Sequence, residues 1–70
     1  MKVRLKKERI ILYLAQKNKS QNWLAIRLGK SRSYLSQLLS GKRNPSPELR
    51  SSIMDFFPDV SYHELFEILE

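Results

Sequence analysis

Four serines divide this chain into segments and constrain its fold more than any other feature. Ser20, Ser31, Ser46 and Ser61 each precede a segment whose apolar residues recur at helical spacing. A serine hydroxyl in this position accepts a hydrogen bond from a backbone N–H of the first helical turn. Pro47 follows Ser46, where its missing N–H costs nothing because the first helical position needs none. The pattern predicts a chain of short helices.

Glycines and prolines mark where these helices end. Gly29 and Gly41 can adopt the positive φ of a helix C-terminus, and Pro58 halts the fourth helix. At the first helix, Ile10, Tyr13, Leu14 and Lys17 form one stripe before Asn18, a candidate C-cap. The five helices are expected over residues 4–17, 21–28, 32–40, 47 to just before Pro58, and from 62 through Leu69.

The last helix carries a capping signature of its own. Ser61 and Glu64 have the spacing of a capping box, and Val60 can pack against Leu65 as a hydrophobic staple. Its expected inward stripe is Leu65, Ile68 and Leu69. No sustained alternation of apolar and polar residues and no Asn-Gly or Asp-Gly turn indicates a strand. The sequence therefore predicts one compact, all-α, five-helix domain over residues 1–70.

The size of the chain limits how this domain can be stabilised. Seventy residues without cysteine exclude disulfides and thiolate metal sites, and one histidine cannot supply a usual zinc set. We therefore expect no metal and no cofactor, and a cytoplasmic location fits the lack of cysteine. The apolar run from Ile10 to Ala15 is too short for a spanning helix and lacks the cleavage pattern of a signal peptide.

Charge is distributed unevenly between the two halves of the chain. Residues 1–45 hold twelve Lys or Arg and one acid, a balance of +11, whereas residues 46–70 hold one cation and six acids, a balance of −5. A basic surface of this strength indicates a polyanionic partner, either nucleic acid or an anionic membrane. The acidic half indicates that only one side of the molecule meets that partner.

The centre of the chain, "SQNWLAIRLGKSRSYLSQLLSGKRNPSPELRSSI", resembles the Cro/lambda-repressor-like (XRE-type) helix-turn-helix DNA-binding family. About two residues separate the second and third helices, which is the tight connection of that motif. The residues that match the family pattern are Gln21, Leu24 with Ala25, Gly29, Ser31, Leu35, Gly41 and Pro45.

This resemblance implies a five-helix domain that binds double-stranded operator DNA, usually as a two-fold dimer. By matching position, Arg32, Ser33 and Gln37 would reach base edges. The expected backbone contacts are Gln21, Asn22, Ser31, Ser40, Lys42 and Arg43. The chemistry agrees, because arginine can bond bidentately to guanine and glutamine to adenine, while loop cations add salt-dependent affinity.

The chain departs from the family pattern at several positions. Leu14 and Leu39 stand where many members carry an ion pair, which predicts an apolar contact instead, and Lys19 replaces the usual apolar residue. Trp23 and Ile26 occupy usually polar positions and form either part of the core or a protein-interaction patch. Candidate dimer contacts on the fifth helix are Tyr62, Phe66 and Leu69.

Three functions compete at this point. The leading hypothesis is a phage or prokaryotic transcriptional regulator, a Cro-like repressor that inserts helix 32–40 into the major groove of an operator. The alternative is a small helix-turn-helix protein that modulates another repressor through Trp23 and Ile26. A basic membrane binder would use residues 1–17 but leaves the motif unexplained. No nucleophile–base set or carboxylate pair indicates an enzyme.

Overall fold

Five helices and two short strands form the fold, which we describe from a computed structural model for residues 2–70. The strands lie at the two ends of the described chain, with the helices between them. None of the helices in this range is long and apolar enough to cross a membrane. In chain order the elements are β1 (Lys2–Leu5), α1 (Lys7–Gln16), α2 (Gln21–Leu28), α3 (Arg32–Ser40), α4 (Pro47–Asp55), α5 (Tyr62–Leu65) and β2 (Phe66–Leu69).

Helix caps fix the central part of the chain as expected. The Ser20 and Ser31 hydroxyls each accept a backbone N–H hydrogen bond of 3.0 Å, and the Ser46 hydroxyl accepts one of 3.2 Å. Gly29 and Gly41 end α2 and α3 with φ of 69° and 83°, a conformation that favours glycine. The predicted bounds of the second and third helices are therefore confirmed residue for residue.

The N-terminal prediction is wrong. Residues 4 and 5 belong to a strand rather than a helix, and α1 begins only at Lys7. β1 pairs antiparallel with β2 in the register Lys2↔Leu69 to Leu5↔Phe66. Along β1, exposed cations alternate with the buried Val3 and Leu5. This alternation spans only four residues, and the strand that pairs with β1 lies at the other end of the chain. Local periodicity therefore does not reveal β1.

The expected fifth helix is also shorter than predicted. It ends at Leu65, and the next four residues form β2, so the fold is mostly helical but not all-α. Side chains alternate between the two faces of a strand, so two residues differ in burial from what the expected helix predicts. Phe66 is 1% exposed and belongs to the core, whereas Ile68 is 45% exposed instead of facing inward.

The capping box of α5 does not form. Ser61 makes no side-chain cap hydrogen bond, and the Glu64 carboxylate instead contacts α1. The Tyr13 hydroxyl donates to Glu64 Oε2 at 2.9 Å, and the Arg9 guanidinium lies 3.4 Å from the same oxygen. This hydrogen bond to Glu64 raises the pKa of Tyr13 above its ordinary value of 10.0. The Glu64 carboxylate thus contacts α1, far away in the sequence, instead of capping its own helix.

A single apolar cluster joins all seven elements. Leu14 and Leu39, the positions where the resemblance would place an ion pair in many members, both lie in it, so neither position requires a charge to be removed from water. Among the described residues no charged or polar side chain is classed as buried. The core consists of Val3, Leu5, Ile10, Leu14, Leu24, Ala25, Leu35, Leu38, Leu39, Leu49, Ile53, Phe57, Leu65 and Phe66.

Candidate nucleic-acid interface

Helix α3 presents one apolar and one polar face. Leu35, Leu38 and Leu39 are buried in the core and fix the helix against the rest of the molecule. Arg32, Ser33, Ser36 and Ser40 are exposed on the other side, and Gln37 is half-buried at the edge between the two faces. The buried leucines hold the helix axis in place, so the polar side chains project from a rigid support.

A shallow hollow of about 350 Å³ lies between α3 and the start of α2. It brings together three residues that the sequence analysis selected separately: Gln21, Arg32 and Ser33. Leu35 forms the apolar part of its wall, and Ser36 adds a hydroxyl. The surface there offers amide, guanidinium and hydroxyl groups, which can bond to phosphate oxygens and to base edges.

The loop after α3 folds back onto Gln37. Gly41 takes the positive φ that turns the chain, and the backbone N–H groups of Lys42 and Arg43 donate to the Gln37 carbonyl at 3.0 and 3.2 Å. The Ser40 hydroxyl donates to the same carbonyl at 3.1 Å. The predicted backbone-contact residues 40, 42 and 43 thus lie beside a predicted base-contact residue.

Two cations, Lys30 and Arg43, lie over the Tyr34 ring next to this loop. The Arg43 Cζ atom lies 4.6 Å from the centroid of the half-buried Tyr34 ring, and Lys30 Nζ lies 4.9 Å from it. Arg43 Nε also donates to the Gln37 side-chain oxygen Oε1 at 3.1 Å. Sequence reasoning did not select Lys30 as a site residue. The sequence did contain a signal for it: Tyr34 stands between two basic segments, and an aromatic ring can bind cations from both.

Cations from the N-terminus also reach the end of α3, which the sequence analysis missed. A second hollow, of about 490 Å³, has Lys6 and Lys7 beside Ser40, together with the carboxylates Glu8 and Glu67. Lys6 Nζ donates to the His63 carbonyl at 2.7 Å, and Arg4 pairs with Glu67 across the sheet. The pairing of β1 with β2 brings these cations there, and no local motif encodes that placement.

Trp23 and Ile26 have different environments. Trp23 is half-buried, packs edge-on against Phe56 with ring centroids 5.9 Å apart, and lies close to Lys19 and Arg27. Ile26 is 67% exposed, more than any other large apolar residue in the range 2–70. Packing therefore accounts for Trp23 in part and leaves Ile26 without a structural explanation.

The three candidate dimer contacts do not share a helix face. Tyr62 lies in α5, while Phe66 and Leu69 lie in β2. The Phe66 ring packs against Tyr62 at a tilt of 37°, with ring centroids 4.8 Å apart, and is enclosed within one chain. Tyr62 and Leu69 are half-buried. Dimerisation stays a prediction, and Phe66 is buried in the core of its own chain.

Comparisons with known proteins identify the family. A helix-turn-helix family model matches residues 10–65. The chain is similar to an uncharacterized HTH-type transcriptional regulator, YvzC, of Bacillus subtilis (strain 168), with 26% identity over 93% of this chain and 83% of that protein. No solved structure matches the chain. With four-fifths of its length matched by the family model, the chain belongs to the Cro/lambda-repressor-like (XRE-type) helix-turn-helix family of DNA-binding proteins.

Proposed function

We propose that this protein is a sequence-specific, double-stranded DNA-binding transcriptional regulator in which α2 and α3 form the helix-turn-helix. The observation that carries the proposal is the polar face of α3, held by three buried leucines and continuous with the hollow at Gln21. An α-helix fits the major groove of B-DNA, where the base edges differ in their donors and acceptors. We infer that α3 occupies that groove.

We assign direct base contacts to Arg32, Ser33 and Gln37 and treat the remaining polar residues as backbone contacts. Gln21, Ser31 and their neighbours lie at helix N-termini, where phosphate oxygens meet free N–H groups. Lys42 and Arg43 supply positive charge on the loop after α3. The proposed backbone set is Gln21, Asn22, Ser31, Ser40, Lys42 and Arg43.

We further propose that residues 1–70 act as one domain and repress transcription by occupying an operator in a bacterial or phage-infected cytoplasm, as a Cro-type protein does. The similarity to a Bacillus regulator supports the bacterial setting. A homodimer on DNA would place two recognition helices about 34 Å apart, one helical turn. Tyr62 and Leu69 are the candidate contacts that stay partly exposed.

Selection from a random DNA library, followed by titration of the selected site, tests this function. We expect specific binding to be about 10³–10⁷-fold tighter than binding to a random duplex. We expect Arg32→Ala to relax discrimination at one base pair by about 1–3 kcal/mol. Lys42→Ala, the matched control, should weaken all sequences equally and lower the salt slope by about 1.

Two outcomes would contradict these assignments. If Arg32→Ala weakens every sequence by the same factor, Arg32 is a phosphate contact rather than a base contact. If the wild-type protein binds all duplexes weakly with a steep salt dependence, it is not a sequence-specific regulator.

The 67% exposure of Ile26 favours a second candidate function, that of a modulator acting through protein contacts. Ile26 follows Trp23 by three residues in α2, and tryptophan is enriched at the centres of protein-binding surfaces. Uniformly weak DNA binding in the selection experiment would support this candidate over the first. Ile26 is the better residue to substitute, because Trp23 also packs against Phe56 and its removal would disturb that contact.

A further inference from the structure

The side chains of Tyr34, Gln37 and Arg43 form a connected group at the edge of the polar face, which we call the Arg43 clasp. Arg43 Nε donates to Gln37 Oε1 at 3.1 Å, and the guanidinium stacks on the Tyr34 ring at 4.6 Å. Two backbone N–H groups of the loop also bind the Gln37 carbonyl. Three kinds of contact thus hold Arg43 against a residue proposed to read DNA.

The clasp determines which way the Gln37 amide faces. An arginine side chain has donors but no acceptor, so only the amide oxygen of Gln37 can point towards Arg43 Nε. The amide nitrogen must then point away from Arg43. An unconstrained glutamine presents either group, and the clasp removes that freedom.

We propose that Arg43 is a positioning residue that makes Gln37 read DNA as a hydrogen-bond donor, with a preference for guanine over adenine. This inference rests on the proposed function. Bidentate reading of adenine requires the glutamine oxygen to accept from the adenine N6 amino group. In the clasp the guanidinium already donates to one lone pair of that oxygen, and its positive charge disfavours a second donor at the other.

Guanine offers the complementary pattern. Its major-groove edge carries two acceptors, N7 and O6, whereas adenine carries an acceptor and a donor. The Gln37 amino group can donate to one of these acceptors, while the η nitrogens of the exposed Arg43 stay available for a neighbouring phosphate. Held in this way, the Gln37 side chain reads the base as a donor and matches guanine best.

The test starts from the base pair whose identity depends on Gln37, found by comparing sites selected by wild type and Gln37→Ala. Affinities are then measured for all four bases at that position. We expect the wild type to prefer guanine and Arg43→Lys to lose about three- to tenfold of that preference, the effect of one misplaced hydrogen bond. The salt slope should not change, because the charge is kept.

Lys42→Ala is the matched control: it should lower the salt slope and keep the guanine preference. A wild-type preference for adenine at this position would overturn the proposal. So would an Arg43→Lys variant that discriminates as well as the wild type.

A second measurement needs no DNA. In the free protein, NMR should show slow solvent exchange of the Arg43 Nε–H in wild type and Tyr34→Phe. Exchange should be fast in Gln37→Ala and Tyr34→Leu, which remove the acceptor and the stacking ring. Wild-type exchange at the rate of an unrestrained arginine would overturn the clasp. Slow exchange without any DNA sequence preference would instead overturn the proposed function.

Discussion

Replacing Phe66 by alanine is expected to lower the free energy of unfolding by about 3–5 kcal/mol, the usual effect of removing a buried aromatic ring. Phe66 is 1% exposed, packs against the Tyr62 ring and lies opposite Leu5 in the sheet. Domains are typically stable by only about 5–15 kcal/mol, so the variant should be partly unfolded at moderate temperature. Urea unfolding followed by circular dichroism measures the change.

Ile68→Ala in the same strand is the control. Ile68 is 45% exposed, so we expect its loss to lower the free energy of unfolding by less than the roughly 1.5–3 kcal/mol that a fully buried apolar side chain contributes. The comparison also separates a core residue from a dimer contact. If Phe66→Ala keeps wild-type stability at high dilution and weakens only self-association, Phe66 is an interface residue and does not belong to the core of the single chain.

Leu38→Ala is expected to have an effect of similar size, about 2–5 kcal/mol, and to reduce DNA affinity as well. Leu38 is 0% exposed and lies between Gln37 and Leu39 on α3. The cavity left by its side chain removes part of the support that fixes the polar face. Urea unfolding and titration of the selected DNA site, both at the same temperature, report the two effects.

Ser36→Ala on the opposite face provides the comparison. Ser36 is exposed, so this change should leave the free energy of unfolding within about 0.5 kcal/mol of wild type. A Leu38→Ala variant that is destabilised but binds the selected site with unchanged affinity, while fully folded, would show that orientation of α3 does not depend on this leucine.

The central helices could be predicted from the sequence because their signals are local. Each serine cap acts on a backbone N–H three residues away, and Gly29 and Gly41 act within their own turns. Such contacts depend on neighbouring residues only. The bounds of α2 and α3 therefore follow from a few positions, whatever the rest of the chain does.

The ends of the chain could not be predicted in the same way. β1 and β2 are four residues each, and each becomes a strand because the other lies beside it. A four-residue alternation such as that of Val3 and Leu5 is too short to compete with the helical pattern that follows it. The same long-range pairing placed Phe66 inside and Ile68 at the surface.

The candidate site was predictable in its residue types but not in their mutual contacts. Helical spacing was enough to put Arg32 and Ser33 on one face of α3. The hydrogen bond between Arg43 and Gln37 depends on how the loop after α3 turns and on which rotamers pack against Tyr34. Those details require side-chain geometry, which the sequence pattern does not contain.

The pairing of β1 with β2 also bears on the order in which the elements are expected to fold. Arg4 and Glu67 are 63 positions apart, so their contact closes nearly the whole chain into a loop. Closing such a loop loses more entropy than forming the short turn between α2 and α3. We therefore expect α2 and α3 to assemble first and the sheet to close last. In thermal fluctuations the sheet should open first, which would separate Lys6 and Lys7 from the end of α3 while the central helices stay intact.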